Sequence, residues 1–490
     1  METIRIGCIL FLFIVFAGAM FLRKLPALIC LPCMAFLIPL VAGVNIADVV
    51  QLVVGEGALR LHNAYSVALF GSMLSVLLQK TGVADSLIKK GAELAGDSPL
   101  VVALTMLGLI TLLFTTLGGL GAIIMVATVV VPIMSSVGLG PLTVTGVFLM
   151  GISMGGLLNA GNWAVYRDVL QLPVDKIRSF ALVMFCLTSL VGLAYTFVQL
   201  YREGHEFGRR RALVAVGALS LIVGIGAGWH WLPLPQRVSI LNLLRAVGGA
   251  LEFLIGGLMA LAFATGLWRL RRARHTTGLA PFWGAYISPL VPLLLILLFN
   301  ANFISAFVCG LVYTFVCAYR PGSVNVLVRS VLEGGAVVMP AVALMLGIGM
   351  LLNAIVGPAG AWQVHQGGEW PVLALLRPYM TRLVPSSPAA YVLFFGLAAP
   401  LALYRGPLNL WGMGYGLAAA FLASGMSSGA IMGVLMAVGQ VQGISDPTNT
   451  HNVWLANHMG QDVQKVLWNT IPYSWGAAWL GLLAASVRFM

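Results

Sequence analysis

Apolar runs long enough to cross a membrane follow one another along almost the whole chain, interrupted by short basic or glycine-rich stretches. Read with a window of about 20 residues, the helix length that crosses a bilayer core, they fall at 4–22, 25–44, 63–80, 99–116, 122–138, 140–165, 179–201, 212–233, 247–268, 282–299, 302–319, 331–356, 389–403, 408–424, 427–457 and 471–489. The pattern predicts an all-α polytopic membrane protein. Two pairs of runs are separated by only a few residues: Leu117-Gly118-Gly119-Leu120-Gly121 in one case, Tyr404-Arg405-Gly406-Pro407 in the other. Each pair reads as a re-entrant helical hairpin, whose irregular tip is tolerated at membrane depth where protein buries it or it lines a cavity.

The hairpins expose a repeat. Residues 1–201 run helix, helix, helix, hairpin, interrupted helix, helix; residues 282–490 run in the same order, and a linking segment with two helices, 202–281, joins them. Short echoes support the alignment: Leu77-Leu78-Gln79-Lys80-Thr81-Gly82 against Leu351-Leu352-Asn353-Ala354-Ile355-Val356-Gly357, and Val174-Asp175-Lys176-Ile177 against Val463-Gln464-Lys465-Val466. Placing the basic clusters at Arg23-Lys24, Lys89-Lys90, Arg209–Arg211, Arg269–Arg274 and Arg320/Arg329 on the cytoplasmic side gives the two halves opposite orientations, with both termini outside. Inverted repeats of this kind are common among secondary transporters.

Composition agrees. With 60% hydrophobic and 9% charged residues and a mean hydropathy of +0.98, a soluble function is excluded. The net charge of +12 sits in short clusters between apolar runs, so it marks loops rather than a nucleic-acid surface. The six cysteines lie in or at the ends of apolar segments and behave as small hydrophobes. Ile4 to Leu22, followed by Arg23-Lys24, reads as a span and not as a cleaved leader.

Chemistry concentrates where helices break, because a break frees amides and carbonyls that a continuous helix consumes. The candidate breaks are the two hairpin tips, the stretch Gly155–Asn162, and Gly443-Ile444-Ser445-Asp446-Pro447-Thr448-Asn449-Thr450-His451-Asn452. Pro447 removes a donor and disfavours helix at Asp446. Arg405 and Asp446 are the only formal charges between Arg382 and Asp462, and a charge at membrane depth is usually kept for a partner or a path. Gly425-Met426-Ser427-Ser428-Gly429 matches G-x-S-x-G, with Asp446 and His451 downstream. That motif needs a strand-to-helix turn, which helical surroundings deny, so no enzyme is expected.

Two inverted repeats, each with a hairpin and an interrupted helix, resemble the ion transporter superfamily of anion transporters. It includes gluconate permease, four-carbon dicarboxylate carrier, lactate permease, citrate transporter and TRAP large-subunit relatives. The tip Gly118-Gly119-Leu120-Gly121 and Ser445-Asp446-Pro447-Thr448-Asn449-Thr450 carry the resemblance. It implies an elevator-type transporter of a small carboxylate coupled to H+ or Na+, in a bacterial inner membrane; a TRAP-type subunit or an uncoupled facilitator is the alternative. The expected substrate-binding residues are Arg405, Gly118, Gly119, Gly121, Gly406, Asn409, Asn159, Asn162, Thr448 and Asn449. Asp446, Ser445, Thr450 and His451 are the expected coupling residues, with Ser445, Thr448 and Asn449 as a Na+ set. The expected partners are the organic anion, the ion, the lipid bilayer and a second copy of the chain.

Overall fold

The computed structural model describes residues 2–22, 24–205, 234–272, 282–320, 322–358, 362, 368–381, 384–410 and 414–490, and among these every regular element is a helix. Eight of those helices are long and apolar enough to cross a membrane, and the sharply bent pair Pro141–Leu157 and Ala160–Leu170 passes the same test when its two helices are taken together. The chain therefore has the architecture of an integral membrane protein. The expected linking helix at 212–233 lies outside the described residues, as do Arg209–Arg211 and Arg274.

In chain order the main helices are α1 (Glu2–Phe21), α2 (Ala27–Ala42), α3 (His62–Lys80), α4 (Val83–Ala95), α5 (Pro99–Phe114), α6 (Gly119–Ser136), α7 (Pro141–Leu157), α8 (Ala160–Leu170) and α9 (Val174–Arg202). After α10 (Leu234–Arg272) come α11 (Val291–Phe299), α12 (Phe303–Cys317), α13 (Ser323–Val356), α14 (Pro371–Met380), α15 (Pro388–Ala398), α16 (Tyr415–Ala423), α17 (Ser428–Ser445), α18 (Thr450–His458) and α19 (Val463–Phe489).

Three elements escaped the apolar-run pattern for a common reason. The π-helix Val49–Gly55 and the turn after it carry the span back to Ile46, making 35 residues to Lys80; Glu56 and Arg60 dilute its hydropathy. Helices α4 and α14 are amphipathic, and their Asp85, Lys89, Lys90 and Arg377 pull a sliding average below threshold. The run at 282–299 also starts differently, as a 3-10 helix, Trp283–Leu290, before α11.

Packing relies on small residues, since lipid offers apolar side chains no hydrophobic reason to leave it and close backbone contact must supply the attraction. Helix α17 lies along α19: a Cβ on Gly433 would collide with Ala485, and one on Gly481 would meet Met184 and Ala437. On α7, Gly151 and Gly155 rest on Ile110 and Phe114 of α5. Helix α13 forms a long spine against α2 and α3, with Gly334 on the Met73 backbone and Gly349 on that of Gly57. The most apolar window of the span 428–458 is 83% buried against 11% for α1, which puts α17 in the interior and α1 at the lipid.

Candidate functional site

The first break separates α7 from α8 with a bend of 52°. Asn159 is extended there (φ −74°, ψ 116°) and its Oδ1 accepts from the Gly161 amide at 2.9 Å. Its Nδ2 donates to the carbonyls of Phe114 at 3.2 Å and Leu117 at 3.5 Å, tying the break to the end of α5. Two carbonyls released at the end of α7 are also satisfied: Gly156 accepts from Asn162 Nδ2 at 2.8 Å and Leu157 from Trp163 Nε1 at 2.7 Å. The break stands because side chains replace the lost helical donors.

The second break, Asp446–Asn449, separates α17 from α18. Pro447 holds Asp446 extended (φ −68°, ψ 113°). The Asp446 side chain is 1% exposed and accepts four hydrogen bonds. Its Oδ1 takes the amides of Tyr404 and Thr448, both at 2.9 Å, and Thr448 Oγ1 at 2.7 Å; its Oδ2 takes Asn409 Nδ2 at 3.2 Å. The freed carbonyls are covered by neighbours: Gly443 by the His451 ring at 3.2 Å, Ile444 and Asp446 by Asn452 Nδ2 at 3.2 and 3.0 Å, and Gln442 by Asn449 Nδ2 at 3.4 Å.

The partner of Asp446 is the tip that follows the 3-10 helix Ala399–Arg405. Tyr404 (φ 54°) and Arg405 (φ 57°) are consecutive non-glycine residues in the left-handed region, a conformation that costs energy and persists only where its surroundings enforce it. Gly406 completes the reversal, because a Cβ there would strike the Leu401 and Leu403 carbonyls. Asp446 and Asn409 hold this strained turn in place. Arg405 itself is exposed and has no hydrogen-bond or ion-pair partner among the described residues. The two charges singled out by the sequence thus do not pair; Asp446 binds the backbone one residue before Arg405.

Between the breaks lies a cavity of about 300 Å³. Ser153, Gly156, Asn162 and Tyr166 line it from one side; Gln440, Gln442, Gly443, Asn449 and His451 from the other, with Leu410 and Tyr415 closing it. Ser153 Oγ donates to Gln440 Oε1 at 2.6 Å, so the two halves touch across its wall. Gln442 Oε1 accepts from the Leu410 amide at 2.7 Å. Among the described residues, no lysine, arginine, aspartate or glutamate lines the cavity. The amides of Thr450, His451 and Asn452 at the start of α18 have no backbone partner among the described residues, leaving partial positive charge at this end.

Of the residues expected from sequence, Asn162, Asn449 and His451 reach the cavity wall. Asn159, Asn409, Asp446 and Thr448 stand behind it and fasten the tips. Gly118, Gly119 and Gly121 lie exposed on the first tip, Thr450 is exposed, and Gly406 shapes the second tip; none of them lines the cavity. The sodium set is dispersed: Ser445 turns to Thr470 at 2.9 Å and Ser474 at 2.7 Å on α19, Thr448 to Asp446, and Asn449 to the Gln442 carbonyl. Its three side chains point to three different neighbours, so they do not form one coordination shell.

Sequence reasoning overlooked Ser153, Tyr166, Gln440 and Gln442. It also overlooked Asp168, which is 5% exposed and accepts from the Ala64 amide at 2.9 Å and Asn63 Nδ2 at 3.3 Å, linking α8 to α3. The available signal was the pair Gln440 and Gln442 between Gly439 and Gly443: uncharged carboxamides in a helix otherwise apolar. No family model matches the chain and no curated protein matches it, so what the site does has to follow from its geometry.

Proposed function

We propose that the chain is a secondary active transporter that carries a small organic anion, driven by H+ or Na+, through the cavity between its two broken helices. The observation that carries this reading is the cavity itself: a space of about 300 Å³ with amide, hydroxyl and imidazole groups on its wall, among membrane-length apolar helices, bordered by helix breaks from both halves of the chain. Polar groups among membrane-spanning helices are costly and are kept for transport paths and solute sites. The amides left without a backbone partner at the start of α18, next to the wall residues Asn449 and His451, suit a negative group.

Two further features support an inverted repeat. The short sequence echoes fall at matching structural points: α9 starts at Val174 and α19 at Val463, while α3 and α13 end at Lys80 and Val356. Each half also inserts an amphipathic helix, α4 or α14, between its third long helix and its hairpin. Asp446 joins a hairpin tip to a broken helix, and making or breaking that clamp is the proposed link between ion binding and movement.

The test is uptake by the purified chain reconstituted alone in liposomes, with pH and Na+ gradients imposed separately. Accumulation of an organic anion against its gradient supports a coupled transporter. Flux that neither gradient drives uphill indicates a facilitator, and dependence on added subunits indicates a TRAP-type component.

A further inference from the structure

Another cavity, of about 740 Å³, shares no lining residue with the one between the breaks and is larger than it. Arg60, Glu369 and Arg377 line it, together with Val356 and Gly357 at the end of α13. Its level in the membrane follows from that helix. The stretch Gly334–Val356 carries no charge, and as a helix it rises roughly 35 Å, close to the thickness of a bilayer core. The Lys80–Glu333 ion pair, at 2.7 Å, marks one edge of the stretch. Arg60 marks the other, where its Nη1 donates to Asn353 Oδ1 at 2.6 Å and to the Gly357 carbonyl at 3.2 Å. Arg60 therefore stands near the level of lipid headgroups. The same wall holds Trp362 and Trp370, with ring centres 4.9 Å apart, and tryptophan collects at that level.

The charges around this cavity do not balance. Glu369 is spent on Arg377 Nη1 at 2.5 Å, and among the described residues no carboxylate lies within ion-pair distance of Arg60. Arg60 is part-buried, and a cation among membrane helices is costly without a counter-charge. Asn353 does not supply one. It is neutral, and its Nδ2 is committed to the Leu52 carbonyl at 2.9 Å, so it fixes the guanidinium in place without neutralising it. Of the five N–H donors of a guanidinium, those on Nη1 are used. Nε is buried with no partner, and Nη2 makes no hydrogen bond among the described residues. The arrangement fits one negative group with several acceptor oxygens.

Phosphate is the group that matches both the chemistry and the level. Guanidinium binds it through charge-assisted hydrogen bonds in a fixed fork, and basic pockets between membrane helices take lipid headgroups in this way. The net charge of the lining, one positive, equals that of a single phosphodiester with the sign reversed. Val356 and Leu373 on the same wall offer apolar contact to whatever carries the phosphate. We propose that this cavity binds a single phosphate group on Arg60, with the half-exposed Arg377 at its rim, presented by a phospholipid headgroup or free in solution. The site is separate from the cavity between the breaks, so it stands or falls independently of the transport reading.

The experiment uses the purified full chain in detergent, stripped of lipid. Native mass spectrometry gives dissociation constants for dioleoyl phosphatidylglycerol and for dioleoylglycerol, which has the same acyl chains and no phosphate. Unfolding midpoints are read in millimolar sodium phosphate against sodium chloride of equal ionic strength. Both measurements are repeated in Arg60→Gln, in Arg377→Gln, and in Arg329→Gln, which removes an exposed arginine near the opposite end of α13. The parent should bind phosphatidylglycerol about tenfold or more tighter than the diacylglycerol, the scale of a charge-assisted hydrogen bond. Arg60→Gln should erase that preference and Arg377→Gln should reduce it about threefold, as suits an exposed charge, while Arg329→Gln leaves it whole. That pattern supports the site with a lipid headgroup as the source. A midpoint raised by phosphate in the parent but not in Arg60→Gln, with no lipid preference, supports the same site with free phosphate as the source. Equal losses in Arg329→Gln and Arg60→Gln would show attraction to surface charge in general and overturn the proposal, as would a parent that distinguishes neither pair of probes. If Arg60→Gln does not fold, Arg377→Gln decides: an undiminished preference for phosphate there overturns the proposal as well.

Discussion

The two broken helices do the same mechanical job with opposite chemistry. At the first, Asn159 reaches out with a donor to the carbonyls of Phe114 and Leu117; at the second, Asp446 reaches out with an acceptor to the amide of Tyr404 and the side chain of Asn409. The first break spans Leu158 and Asn159 and turns the chain by 52°. The second spans four residues, Asp446–Asn449, and its two helices still pass as one continuous span. One tip is tied down by a neutral amide on relaxed backbone, the other by a carboxylate holding two left-handed residues under strain. A neutral link can be undone only by moving its ends apart. A carboxylate can also change its contacts by taking up a proton or an ion, so under the proposed function the switching role falls to the second break.

The largest effect should follow from removing the charged link. Asp446→Ala leaves the Tyr404 and Thr448 amides without their acceptor in a part-buried setting, at about 1–3 kcal/mol for each group left unsatisfied, and leaves Asn409 only the Ala402 carbonyl. Thermal unfolding in detergent should shift down clearly, and uptake should fall below detection. Asp446→Asn is the informative partner: it keeps an oxygen for Tyr404 and Thr448, losing only the bond from Asn409. Counterflow exchange should survive in the Asn variant while accumulation driven by a pH or Na+ gradient is lost. Gradient-driven accumulation equal to the parent's would make Asp446 a structural clamp and end the asymmetry between the breaks.

The neutral link should matter less. Asn159→Ala removes two weak donor contacts and the cap on Gly161, and losing a cap costs about 1 kcal/mol. The expected result is a modestly lower unfolding midpoint and transport reduced several-fold, with the response to ion gradients unchanged. Asn159→Asp separates the two polarities, because a carboxylate facing the Phe114 and Leu117 carbonyls repels them. It should be worse than Ala. If Asp is tolerated there as well as Asn, the contrast between donor and acceptor breaks has no mechanical meaning.

This contrast was only half legible in the sequence. The positions of the breaks could be read, because Pro447 forbids the helix that its neighbours would otherwise form and glycines and asparagines cluster over Gly155–Asn162. All-helical membrane architecture was equally open to view, since runs of about 20 apolar residues have few other uses. What Asp446 binds was not, because its partners include a backbone amide 42 residues away and every residue offers the same amide. The cavity wall was missed for a related reason: attention to charges passed over Gln440 and Gln442, which carry none. Helices α4 and α14 were hidden by the charges that keep one face of each at a polar boundary.

The smallest effect is expected at Arg405, the residue whose position in the sequence looked most like a substrate clamp. A clamp must be held where the anion arrives, usually by neighbours that orient the guanidinium. Arg405 is exposed, lies outside the cavity lining and has no partner among the described residues, although its backbone is fixed. Its left-handed φ of 57° is what the turn requires, and a small side chain can meet that requirement at modest cost. Arg405→Ala should therefore change the KM of the carried anion by no more than about twofold, the scale of exposed charges that make no fixed contact. Arg405→Gly should stabilise the tip slightly by relieving the strain. Loss of anion binding in Arg405→Ala, with ion-gradient coupling and unfolding temperature unchanged, would move the charge recognition from the start of α18 to the hairpin tip. It would also make both ends of the Asp446 clamp part of the solute site.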